Sequence, residues 1–189
     1  MANANSTTLA RPELTRPFIP AVPATSVETL LTRPIHYGLD FMALAHCCSA
    51  LVAELLENDD PTSRLALAGR LALSLSLMRH VLNDDLTPEQ CETLTVAQKP
   101  QAAVEPLYSE PELLVEYCHS LTQVLLSGAV RAEPLSHLSG LLFELVNQLC
   151  DTLTAPRFYR SAEGLRDIET GQMLEMSHQP PANAVNAAH

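Results

Sequence analysis

With 189 residues, 47% of them apolar, the chain is long enough to bury one substantial core. Only 4% of residues are aromatic and Trp is absent, so that core is built from Leu, Ala, Val and Met, which suits helices better than sheets. A net charge of −11 argues against a nucleic-acid groove, which needs clustered Lys and Arg; Arg64, Arg70, Arg79 and His80 are instead spread along one segment, within reach of Glu54, Glu57 or Asp84.

Residues 1–24 are rich in Asn, Ser, Thr and Pro and read as a disordered N-terminal arm, with no apolar run of the kind a secretory signal needs. A helical domain over 25–156 follows. Thr25 and Glu28 have capping-box spacing, which predicts a short helix through Leu30 and Leu31 that ends before Pro34. From about Tyr37 to Glu57, Phe41, Leu44, Cys48, Leu51 and Leu55 recur on one helical face.

The stretch Asp60 to Leu82 is the most apolar part of the chain and decides the fold class. Leu71, Leu73, Leu75 and Leu77 alternate as in a strand, whereas Leu67, Leu71, Leu75, Met78 and Leu82 recur as in a helix. The run far exceeds the usual strand of about 5–6 residues, Ala and Leu favour helix, and Asp60–Pro61 is a cap followed by a first-turn proline. Helix is the consistent reading, and the short connection to the preceding helix predicts an antiparallel hairpin over 37–83. Leu73 and Leu77 then lie about 200° around the axis from Leu71 and Leu75, where a surface helix is normally polar.

Thr87, Pro88 and Gln90 predict a short helix to about Val96 within a linker over 84–108. Ser109 and Glu112 make another capping box, opening a helix to about Val130 with Leu114, Cys118, Leu121 and Leu125 inward. Pro134 starts the next, whose core face is Leu138, Leu142, Val146, Leu149 and Leu153 until Pro156 stops it. These form a second hairpin over 109–155. Beyond it, 157–189 reads as a weakly structured to disordered tail with a weak helix from Ser161 to Met173.

A single shift lays one hairpin on the other: Cys47 falls on Cys118, Leu55 on Leu126, Gly69 on Gly140, Leu71 on Leu142 and Leu82 on Leu153. About half of this identity would arise by chance in a Leu-rich helical chain. If the repeat is real, the two glycines, each costing about 1 kcal/mol inside a helix, mark a close helix crossing. The expected fold class is all-α: a four-helix array of two antiparallel hairpins with an internal repeat, short helices and disordered termini.

Cys47, Cys48, Cys91, Cys118 and Cys150 include no CxxC pair and fit a reducing compartment. Adjacent helical residues such as His46 and Cys47 diverge by about 100°, which disfavours a shared metal ion, so no metal and no cofactor is expected. No nucleophile elbow, P-loop, dinucleotide motif or HExxH is present, and no catalytic residue is named. The sequence points to a cytoplasmic, non-enzymatic helical interaction module, an adaptor or regulator, without nucleic acid or membrane as partner. Leu73, Leu77 and Val81 would form the protein-binding stripe, toward a protein partner or a second copy in a homo-oligomer. The alternative is a small-molecule-binding or catalytic bundle with a pocket between the hairpins, lined by Met78, His80 and Cys118.

Overall fold

The computed structural model describes residues 26–100 and 110–174; the N-terminal arm, the end of the linker and the end of the tail lie outside them. Among the described residues there are six helices: α1 (Val27–Thr32), α2 (Phe41–Glu57), α3 (Pro61–Val81), α4 (Pro88–Thr93), α5 (Pro111–Leu126) and α6 (Ala132–Thr154). Three short strands accompany them: β1 (Thr95–Val96), β2 (Phe158–Ser161) and β3 (Gly164–Asp167). The protein is mostly helical, and the small sheet corrects the all-α expectation.

The helix starts follow local hydrogen-bond chemistry. Asp60 caps α3 by accepting from the Ser63 amide at 2.8 Å, with Pro61 in the first turn, and Thr87 and Gln90 form a reciprocal capping box on α4. Other ends differ from the sequence-based expectation. Helix α1 is capped by Ser26, one residue after Thr25, and α2 begins only at Phe41, because the Asp40 carboxylate accepts from the Ala43 amide at 2.7 Å. Helix α5 opens at Pro111 behind Glu110 with no side-chain cap, while Ser109, the expected cap, lies outside the described residues. It stops at Leu126, short of Val130, and Gly128 at φ +65° takes the left-handed turn that follows. Helix α6 begins at Ala132, two residues ahead of Pro134, which the first turn tolerates because its missing N–H has no helical acceptor there.

The four long helices share one core. Helix α2 packs against α3 and α6, α5 packs against the same two, and α1 lies on α3 and α2. Leu44, Leu51, Leu67, Leu71, Leu75, Met78, Leu114, Leu142, Val146 and Leu149 are fully buried among them. Arg64 ties three helices together. Its guanidinium donates to the carbonyls of Leu55 and Asn58, at the end of α2, and to Ser139 Oγ on α6 at 3.0 Å. A cation on those orphan carbonyls is favoured by the helix dipole. Arg79 pairs with Glu116 at 2.7 Å and Arg70 donates to the Arg33 carbonyl, so these arginines take partners other than the expected Glu54, Glu57 or Asp84.

The C-terminal segment is a β-hairpin, not the helix expected over Ser161 to Met173. Strands β2 and β3 pair antiparallel around Ala162–Glu163, with Gly164 at φ +139°, and β1 pairs parallel to β2. The sheet order is β1-β2-β3. It is anchored where the Leu94 carbonyl accepts from the amides of Arg157 and Phe158, and where the Arg157 guanidinium lies over the Phe41 ring at 5.4 Å. The short α4 ends at Thr93, short of the expected Val96, because Thr95 and Val96 join this sheet.

Gly69 and Gly140 mark no close crossing among the described residues. A Cβ built on either would meet nothing within 4 Å. Both are helical glycines with room for a methyl group, which corrects the packing reason expected for them.

Candidate functional site

Large apolar side chains remain in water on the outer surface of the helices, among them Leu65, Leu73, Tyr117, Val124 and Leu141. On α3 the buried residues run around the axis from Leu77 through Ser74, Leu67, Leu71 and Leu75 to Ala72, about 220° of the circumference at 100° per residue. Within that sector the Ser74 hydroxyl is buried and donates to the Arg70 carbonyl at 3.0 Å.

The three residues of the predicted stripe differ in burial. Leu77 is only 5% exposed and belongs to the core, and Val81 is half-buried against it. Leu73 alone of the three faces outward, at 45% exposure. The physical reason is that α1, α2 and α5 all pack on α3, so a helix apolar on two sides is covered on most of both.

A second outward set lies on α5, outside the predicted stripe. Leu113, Tyr117 and Val124 are 39%, 41% and 41% exposed. With the exposed Ser120 they fall within about 60° of one another and span about 16 Å along the axis. Leu114, Val115, Cys118 and Thr122 occupy the opposite, buried face. The sequence signal for this set is the spacing i, i+4, i+7, i+11, the same test that singles out Leu73 and Leu77 on α3. Helix α5 carries Glu112 and Glu116, follows Glu110, and has neither Lys nor Arg.

The thiols are interior groups. Cys47, Cys48 and Cys118 are buried and Cys150 is half-buried. Burial pushes the Cys48 thiol well above its ordinary range, with the neighbouring thiols Cys47, Cys118 and Cys150 adding to the effect. Burial pushes Cys118 up to about 12. Thiols so held are protonated at neutral pH and are poor nucleophiles. Among the described residues, no group of three His, Cys, Asp or Glu stands where it could hold a metal ion.

The residues expected to line a pocket between the hairpins do not share one setting. Met78 and Cys118 are fully buried in the packed core, whereas His80 is exposed. A cleft of about 210 Å³ lies elsewhere, lined by Tyr37, Phe41, Val81, Asp84, Asp85 and Gln90 among others. That is below the roughly 300–1,000 Å³ of ordinary ligand sites. Asp40 in its wall is already engaged, capping α2 and accepting from Gln90 Nε2 at 3.2 Å.

No family model, curated protein or solved structure matches the chain. Among the described residues no helix is long and apolar enough to cross a membrane.

Proposed function

We propose that the chain is a non-enzymatic helical protein–protein interaction module, an adaptor or regulator, whose contact surface is the outward apolar set on α3 and α5. The observation that carries this reading is the clustering of Leu113, Tyr117 and Val124 on one exposed helix face, with Leu73 outward on the adjacent α3. Exposed apolar groups gathered on a helical face are the usual mark of a binding surface. The protonated Cys48 and Cys118 and the small cleft offer no comparable support for catalysis. The free cysteines fit a reducing, cytoplasmic setting.

The scaffold of this module is, in the same reading, two antiparallel hairpins related by an internal repeat. Positions brought together by the single shift share burial: Leu44 with Val115, Cys47 with Cys118, Leu71 with Leu142, Leu75 with Val146 and Met78 with Leu149. Isolation of the tagged full chain from its native host, with bound proteins identified by mass spectrometry, tests the function. Capture of a specific protein that is lost with Leu73→Ser or Val124→Glu is the expected result. Identical capture by the wild-type chain and both variants would remove the surface from consideration.

A further inference from the structure

We infer that the N-terminal arm of this chain docks through Arg16, Pro17, Pro20 and Pro23 into the cleft between the α1–α2 connection and the end of α3, with the Arg16 guanidinium on Asp84 and Asp85. This site is separate from the surface on α3 and α5. Residues 16–23 read Arg-Pro-Phe-Ile-Pro-Ala-Val-Pro, so three prolines recur at every third position behind one cation. A polyproline II helix has three residues per turn, which puts prolines at that spacing along one edge. Such edges are recognised by grooves walled with aromatic side chains.

The cleft offers the complement. Its lining holds Tyr37, 82% exposed, together with Leu39 and Val81; the Phe41 ring, in the same lining, already lies under the Arg157 guanidinium, so Tyr37 is the open ring. Asp84 and Asp85 are exposed there, and among the described residues of the lining there is no Lys, Arg or His. Both acids follow the C-terminus of α3, the negative pole of the helix dipole, where carboxylates are unfavourable and a cation is favoured. Arg79 in the last turn is paired with Glu116 at 2.7 Å and His80 is exposed, which leaves the place open for a cation from elsewhere. A volume of about 210 Å³ suits side chains of a passing segment better than an ordinary ligand. Chain length permits the contact. Helix α1, of 6 residues, and residues 33–37 separate Ser26 from Tyr37 by at most about 27 Å. From Arg16 to Ser26 the arm spans about 31 Å at polyproline rise, enough to return to the cleft.

Methyl NMR of the full chain tests this. Arg16→Ala and Pro20→Ala, both outside the helical core, should displace the Leu39 and Val81 methyl resonances while those of Leu141 on α6 stay fixed. Asp84→Asn combined with Asp85→Asn should in turn displace the Ile19 and Val22 methyl resonances of the arm. Arg11→Ala, outside the proline repeat, should displace neither set. Added salt screens the charges and should move the wild-type Val81 resonances toward their positions in Arg16→Ala. Leu39 and Val81 resonances unchanged by Arg16→Ala, or moved equally by Arg11→Ala, would overturn the inference. Resonances that depend on protein concentration between about 10 µM and about 1 mM would give the cleft to the arm of a second copy and overturn docking within one chain.

Discussion

Replacing Leu77 and Leu73 separately by Ala distinguishes the core of α3 from its surface. Leu77 is almost wholly buried, so truncation removes its transfer free energy and leaves a cavity, at a cost of about 2–4 kcal/mol. Leu73 keeps nearly half of its surface in water, so the same change costs less than about 1 kcal/mol. Helix propensity does not blur the comparison, since both changes are Leu to Ala in one helix. At about 3 °C per kcal/mol for a chain of this size, Leu77→Ala lowers Tm by roughly 6–12 °C and Leu73→Ala by at most about 3 °C. Guanidinium and thermal unfolding followed by circular dichroism measure both. Equal losses, or a Leu77→Ala protein as stable as wild type, would refute the assignment of Leu77 to the core.

Gly69→Ala and Gly140→Ala should each stabilise the protein by about 0.5–1 kcal/mol, because the added methyl group meets no neighbour and the helix gains propensity; destabilisation in chemical unfolding would restore the close crossing. Native alkylation near about pH 8 should spare Cys48 and Cys118 and modify Cys150 ahead of them; rapid labelling of Cys118 would contradict its burial. Hydrogen bonds from the Ser63 amide and hydroxyl hold the Asp60 carboxyl below its ordinary range, and those from Thr170 do the same for Asp167. A carboxyl depressed in the folded state contributes stability that is present above its unfolded value and lost as pH falls through the lower folded value. Asp60→Asn should therefore flatten the acid limb of a stability–pH profile below about pH 4; an unchanged limb would contradict it.

The helices are legible in the sequence because their signals are local. Asp60–Pro61 and Thr87–Pro88–Gln90 fix starts within a few residues, and the spacing of Leu67, Leu71, Leu75 and Met78 marks a core face without tertiary information. The sheet is not legible in the same way. Its strands are too short to display a period, and β2 pairs with Thr95–Val96, far earlier in the chain. Turn residues at Asp167, Thr170 and Gly171 are the available clue: the Asp167 carboxylate accepts from the Thr170 amide at 2.7 Å, and Gly171 has φ +69°. The candidate site is legible only in part. Periodicity shows that Leu73 and Leu77 lie off the main core face, but only the packing of α1, α2 and α5 on α3 says which of them is covered.

Methyl NMR spectra recorded with and without a protein captured from the native host test the contact surface most directly, because they report on individual side chains in the intact protein. The Leu73, Leu113 and Val124 methyl resonances should shift when that protein binds while those of Leu141 stay fixed. Resonances of Leu73, Leu113 and Val124 that do not move, or that move no more than those of Leu141, would contradict the proposed surface.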